Sequence, residues 1–86
     1  MDINQLIEIV KKKIYEKLKC EEIIIEDKTF LHKSHAQFDK NKFHIKLILR
    51  SEKLKELNKI QSTKLIYKIL DIELKKYIHS IQISII

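Results

Sequence analysis

Phe43-His-Ile-Lys-Leu-Ile-Leu-Arg50, at the centre of the chain, is the stretch of sequence that decides the fold. Side chains alternate between the two faces of an extended strand, so one face collects the apolar residues Phe43, Ile45, Leu47 and Leu49. The other face collects His44, Lys46, Ile48 and Arg50. The pattern therefore predicts a strand over 43–50 with one fully apolar face.

The segments on either side of this strand complete a mixed set of elements. Spacing of apolar residues predicts helices over 3–19, 51–57 and 63–77 and further strands over 21–27 and 78–86, with 28–42 as a long polar loop. Asp2, Ser51 and Ser62 are the expected N-caps of the three helices. In the last strand, alternation puts His79 on the face of Ile81, Ile83 and Ile85.

The predicted order, α–β–β–α–α–β, indicates one α+β domain over residues 1–86. No internal repeat or linker divides the 86 residues. A single three-stranded sheet with helices packed on one face is the simplest architecture that buries these apolar faces. Asn41 and Asn58 are the expected left-handed turn positions, because the chain contains no glycine.

The composition excludes several classes of function. Without glycine, the chain has no P-loop, no dinucleotide-binding turn and no nucleophile elbow. Its one cysteine, Cys20, forms no intrachain disulfide and follows a helix end, where the dipole raises a thiol pKa. No apolar run approaches the roughly 20 residues of a membrane span. We expect a non-catalytic protein with no membrane partner.

Positive charge is concentrated in the second half of the chain. The net charge is +6, and residues 44–86 carry nine basic residues against four acidic ones. Most of the basic residues are lysines, and lysine and isoleucine both have A/T-rich codons, so genome composition explains part of this charge. The alternative function that the charge indicates is weak nucleic-acid binding through Lys59, Lys64 and Lys68.

Four histidines are the residues most suited to chemistry. His32 and His35 lie in the polar loop, while His44 and His79 open strands. Neutral imidazole is a common metal ligand. Spacing favours a structural role for His44 and also, on its own, for His79. Histidines without cysteine pairs rarely complete a zinc site, so this chain would supply only part of a metal's ligands.

Together these pieces resemble the BolA family over nearly the whole chain. The resemblance rests on Asp27-Lys-Thr29, His32-Lys-Ser-His35-Ala, Phe43-His44-Ile45-Lys46-Leu47-Ile48, Ser51-Glu52-Lys53-Leu54, Leu65-Ile66-Tyr67 with Leu70, and Ile78-His79-Ser80-Ile81. It implies a three-stranded mixed sheet of the class II KH-like type. KH-type nucleic-acid domains clamp the backbone with a GXXG loop, which this glycine-free chain lacks.

The resemblance also implies a partner and a cofactor. Proteins similar to this one associate with monothiol CGFS glutaredoxins and share a [2Fe–2S] cluster held by the glutaredoxin cysteine, glutathione and their own histidines. The family's C-terminal ligand matches His79. The position of the family's loop ligand matches His32 when residues are counted from Asp27 and His35 when they are counted back from His44. Both histidines therefore remain candidates.

Departures from the family pattern bear on the alternative function. Leu54 and Glu56 stand at the family's aromatic-x-Gly step, and Ser62-Thr-Lys64 stands where an Arg-His-Arg run often opens the long helix. These changes leave the histidines untouched but weaken the expectation of a DNA-binding regulator. The expected compartment is the cytoplasm, with the mitochondrion as the alternative. The sequence leaves homodimer formation open.

Overall fold

A computed structural model of the chain describes residues 1–29 and 42–86. Its elements, in chain order, are α1 (Ile3–Lys17), β1 (Glu22–Asp27), β2 (Phe43–Arg50), α2 (Glu52–Lys55), α3 (Lys59–Ile69), α4 (Asp71–Lys76) and β3 (Ile78–Ile85). The predicted strand over 43–50 is confirmed as β2 with the same bounds. In the described ranges, no helix is long and apolar enough to span a bilayer.

The three strands form one mixed sheet in the order β1-β2-β3. β1 runs antiparallel to β2, with Ile23 opposite Leu49, whereas β3 runs parallel to β2, with Ile81 opposite Ile45. The parallel pair requires a crossover, which α2, α3 and α4 provide. The predicted α+β architecture with a three-stranded mixed sheet is confirmed.

The hydrophobic core lies between one face of the sheet and the helices. From β2 it takes Ile45, Leu47 and Leu49, whose alternate neighbours Lys46 and Ile48 remain partly exposed. The helices contribute buried residues at helical spacing, among them Leu6, Val10 and Ile14 of α1 and Ile66 of α3. The alternation that predicted β2 therefore also predicted which of its faces is buried.

The predicted N-terminal cap of α1 is confirmed, and the prediction of one helix over 63–77 is corrected. Asp2 accepts a hydrogen bond from the backbone N–H of Gln5, at 2.8 Å, in a reciprocal capping box. The helix predicted over 63–77 begins earlier, at Lys59, and breaks at Leu70, where the backbone leaves helical geometry (φ −100°, ψ 21°). Two helices, α3 and α4, therefore replace the single one expected.

Asn58, rather than Ser62, caps α3. Its side chain accepts from the N–H of Gln61 at 2.8 Å, and the Gln61 side chain accepts from the N–H of Asn58 at 3.2 Å. This capping box outcompetes Ser62, which is buried inside the helix and donates its hydroxyl to the carbonyl of Lys59 at 3.1 Å. Asn58 has φ −74°, so its predicted left-handed conformation is wrong. Asn41 lies outside the described residues.

An ion pair between a partly exposed lysine and a buried carboxylate ties α4 to α1. Lys13 Nζ lies 2.6 Å from Glu73 Oε2, and the Glu73 side chain is only 4% exposed against 33% for that of Lys13. Glu73 is the polar interruption on the apolar face of the predicted long helix. Burial of a carboxylate is tolerated here because a cation neutralises it directly.

Substitution of Lys13 by alanine is expected to lower the free energy of unfolding by about 3 kcal/mol, because it leaves a buried carboxylate without its cation. Lys12→Ala is the matched control, since Lys12 is exposed on the same helix, and its effect is expected to stay within about 0.5 kcal/mol. Urea denaturation of both variants measures the difference. Equal losses would show that the pair does not stabilise the fold.

Candidate functional site

A β-bulge at the start of β3 determines where His79 points. Phe43 of β2 pairs with Ile78, but the next residue, His44, pairs with Ser80, so β3 carries one extra residue between these two pairs. That residue is His79. A bulge of this kind re-aims side chains and is often found beside functional sites.

The extra residue corrects the predicted face of His79. Ile78 is buried, and Ile81 packs partly buried against the core, although three positions separate them. Regular alternation would put residues three apart on opposite faces. The bulge absorbs the mismatch and leaves His79 exposed to solvent. The prediction that His79 shares the face of Ile81, Ile83 and Ile85 is therefore wrong.

His79 stacks on His44. The two ring centroids lie 4.9 Å apart with 24° between the ring planes. His44 is buried, with 6% of its surface exposed, whereas His79 is exposed. One flat side of the exposed imidazole therefore rests on a buried ring, and its edge remains accessible from solvent.

Hydrogen bonds from β3 and from the two residues that follow β1 hold His44 in place. Its Nδ1 atom lies 2.6 Å from Ser80 Oγ on β3. Its backbone N–H donates to Thr29 Oγ1 at 3.1 Å, and its carbonyl accepts from the N–H of Lys28 at 2.7 Å. Asp27 in turn accepts from the N–H and the hydroxyl of Thr29. The His44 ring, on which His79 stacks, is thus held by the residues just after β1 as well as by β3.

The spacing argument favoured a structural role for His44 and missed its contact with His79. One signal in the sequence could have found it. His44 and His79 each stand second in a predicted strand. Parallel neighbouring strands begin at the same edge of a sheet, so residues near their starts meet there. Recognition of the parallel pair would have brought the two rings together.

The two candidate loop ligands, His32 and His35, lie outside the described residues. The described residues that precede and follow that segment are Thr29 and Lys42. Thr29 contacts His44 directly, and Lys42 is two residues before it. Both ends of the segment therefore belong to the edge of the sheet where His79 is presented.

A shallow depression of about 300 Å³ lies along the start of β2 and β3. Its polar lining comes from Lys28, His44, Lys46, Ser80 and Gln82. Lys28 is partly neutralised by Glu26, at 3.8 Å. Within residues 1–29 and 42–86, no group of three or more His, Cys, Asp or Glu side chains comes together as a metal site. The depression therefore brings two lysines beside the buried His44 ring, on which the exposed His79 ring stacks.

Cys20 lies well away from this chemistry. It follows the end of α1, is half-buried, and packs against the hydrophobic core. Burial is the main reason that the pKa of its thiol is raised, with Glu21 adding to the effect and a hydrogen bond with Ser51 opposing it. The predicted direction of the pKa is confirmed, but burial rather than the helix dipole is the leading cause. Fewer thiolates at neutral pH make Cys20 a poor nucleophile.

The three lysines of the alternative function are all exposed on α3. Lys64 and Lys68 are one helical turn apart, whereas Lys59 stands at the N-terminal end of the helix. Lys59 and Lys64 border a patch that includes the exposed side chains of Ile60 and Tyr67. The face is thus mixed, basic and apolar, rather than a continuous lysine stripe.

Comparison with known proteins identifies a family and a shared fold. The model of the family described as BolA-like protein matches residues 14–86. The structure is similar to BolA1 from Arabidopsis thaliana (23% identity, TM-score 0.76, covering 91% of this chain and 86% of that one). It is also similar to the BolA domain of SufE1 from Arabidopsis thaliana (24%, 0.79, 99% and 92%) and to BolA1 from Mus musculus (18%, 0.72, 90% and 60%). No curated protein matches the chain.

Replacement of Ser80 by alanine is expected to lower the free energy of unfolding by about 1 kcal/mol, because it removes the hydrogen bond to the buried His44 ring. The same change should shift the ring resonances of His79, which rests on that ring. Ser84→Ala is the matched control, since this serine is on the same strand and its hydroxyl has no partner among the described residues. Urea denaturation and ¹H–¹³C NMR spectra measure both effects. Unchanged His79 resonances in Ser80→Ala would contradict the claim that the His44 ring, held by Ser80, supports the His79 ring.

Proposed function

This chain belongs to the BolA-like protein family, and on that premise we propose that it is a non-enzymatic partner of a monothiol CGFS glutaredoxin. In this proposal the two proteins and glutathione hold a [2Fe–2S] cluster together, for iron–sulfur cluster assembly and trafficking or for iron regulation. The observation that carries the proposal is the accessible His79 imidazole, turned out of the core by the bulge.

The metal-binding atoms that this chain offers suit a cluster shared with a second protein. Iron in such clusters accepts imidazole in place of thiolate, and histidine ligation raises the reduction potential. In the described part of the chain, His79 is an exposed nitrogen donor with no cluster of further ligands around it. The thiolates would come from the glutaredoxin cysteine and from glutathione. A cluster held between two proteins is open to ligand exchange, which suits transfer better than storage.

The second histidine of the set is His32 or His35. The segment that carries them starts after Thr29, whose hydroxyl accepts a hydrogen bond from the backbone of His44. Lys42, the described residue that follows the segment, is two residues before His44. The described residues on both sides of the segment thus lie at the edge that presents His79.

The charge near the site supports an anionic ligand. Lys28 and Lys46 line the depression that also contains the His44 ring. A cluster ligated by thiolates carries negative charge, and glutathione adds carboxylates. Lys46, together with the part of the Lys28 charge that Glu26 leaves uncompensated, would attract such a ligand and raise its local concentration.

Anaerobic reconstitution with a CGFS glutaredoxin and glutathione tests the proposal. We expect wild-type protein to change the visible circular dichroism spectrum of the glutaredoxin cluster. His79→Ala and the His32→Ala/His35→Ala double variant should each lose that change, because each lacks a nitrogen ligand. Ser84→Ala, a substitution on the same strand, should retain it.

Two outcomes would contradict this proposal in different ways. A spectrum altered equally by wild type and His79→Ala would remove the ligand assignment. A spectrum unaffected by wild type would remove the shared cluster, and calorimetric titration of the metal-free proteins would then establish whether the two associate at all.

A nucleic-acid-binding regulator is the second candidate. The observation in its favour is that Lys59, Lys64 and Lys68 are all exposed on α3, and none of them forms an ion pair with the residues that the structure describes. Phosphate contacts of this kind release counterions on binding. Binding to duplex DNA should then fall steeply with salt and be lost in Lys59→Glu/Lys64→Glu/Lys68→Glu. Affinity that is insensitive to both changes would remove this candidate.

A further inference from the structure

The two edges of the sheet are protected very differently. β1, at one edge, carries the charged residues Glu22, Glu26 and Asp27. β3, at the other edge, carries no charged residue and no proline from Ile78 to Ile86. Proteins usually protect edge strands with charges, prolines or bulges, because unprotected backbone groups pair with other chains. The bulge of β3 protects only its first residues, so positions 81–86 remain a suitable edge for strand addition.

The backbone of β3 directs alternate residues toward this edge. The N–H of Ile86 donates to the carbonyl of Leu49 on β2, at 2.8 Å, so Ile86 bonds inward. Alternation along a strand then turns the backbone groups of Ile81, Ile83 and Ile85 outward. In the part of the chain that the structure describes, no strand pairs with these groups.

A groove of about 430 Å³ lies alongside the outward-facing segment. Ile83 and Ile85 of β3 form its apolar lining together with Leu54 and Leu57 near α2. The described residues that line the groove include two charged side chains, Lys55 and Lys59, and no acidic one. A groove of mixed lining, with apolar side chains from β3 and α2 and two lysines among its polar ones, thus lies open to solvent beside the strand edge.

We propose that the outer edge of β3 binds an extended, acidic segment of a partner protein as a fourth strand of the sheet. In strand addition, main-chain hydrogen bonds supply affinity and pockets for alternate side chains supply specificity. Here the outward N–H and C=O groups of Ile81, Ile83 and Ile85 would continue the ladder. Alternate apolar side chains of the segment would enter the groove, and its carboxylates would meet Lys55 and Lys59.

Charge favours an acidic peptide over the other occupants. A second copy of this chain would bring another net charge of +6, and a two-fold pairing of β3 with β3 would bring four groove lysines to one interface. Like charges across an interface oppose binding. An oligonucleotide would match the lysines, but it has no alternating N–H and C=O groups with which to extend the sheet.

The probe for this proposal is an acetylated and amidated eight-residue peptide in which valine alternates with aspartate or glutamate. Titrated into the ¹⁵N-labelled full chain, it should shift the amide signals of Ile81, Ile83 and Ile85 and slow their hydrogen exchange at least tenfold. Lys55→Glu/Lys59→Glu should weaken binding at least tenfold. Lys12→Glu/Lys17→Glu makes the same charge change on exposed residues of α1 and should leave affinity within twofold.

Several outcomes would overturn the proposal. One is unchanged exchange at the three amides in millimolar peptide, and another is an equal loss of affinity in both lysine pairs. Protection of these amides that grows with protein concentration in the absence of peptide would assign the edge to a second copy. Displacement of the peptide by a single-stranded oligonucleotide, with no amide protection, would assign the groove to nucleic acid. Binding by His79→Ala should equal that of wild type, which separates this test from the cluster proposal.

Discussion

The site and the core both depend on the parallel pairing of β2 with β3. At its start, β3 carries one residue more than the part of β2 with which it pairs. Beyond the extra residue, Ile81, Ile83 and Ile85 pair with Ile45, Leu47 and Leu49 over the core. Before it, Ile78 is buried opposite Phe43. A regular strand without the extra residue would expose Ile78 or the set Ile81, Ile83 and Ile85, or it would turn His79 into the core. The bulge satisfies both sets and leaves one imidazole in solvent.

Presentation of that imidazole also depends on the layer beneath it. His44 is buried and is bonded to Ser80 on β3 and, through its backbone, to the end of β1. A ligand whose ring already rests on a fixed surface loses less rotational freedom when it binds than a free side chain does. The same contacts anchor Thr29, where the histidine-bearing segment leaves the sheet. The ends of three strands therefore converge on one small region.

The sequence predicted most of the fold because most of its signals are local and periodic. Alternation of apolar residues over 43–50 predicted the bounds of β2 and its buried face. Prediction failed where two signals competed. Ser62 resembles an N-cap, but the capping box between Asn58 and Gln61 starts α3 one turn earlier, and the break at Leu70 has no glycine or proline to mark it.

The candidate site was only partly predictable, for physical reasons. A bulge adds a residue without any change in composition, so the alternation of β3 alone placed His79 on the wrong face. The role of His44 depends on a parallel neighbour that is distant in sequence. The assignment of His79 as a ligand came from the family resemblance, and the choice between His32 and His35 depends on residues outside the described ranges.

Pulsed electron paramagnetic resonance of the reduced complex tests the central claim most directly. The chain would be labelled with ¹⁵N-histidine and assembled with unlabelled CGFS glutaredoxin, glutathione and iron–sulfur cluster. Direct ligation by this chain predicts ¹⁵N hyperfine coupling of the strength found for iron-bound imidazole, with part of it lost in His79→Ala. A cluster signal without such coupling would contradict the account, because no histidine of this chain would then bind the iron.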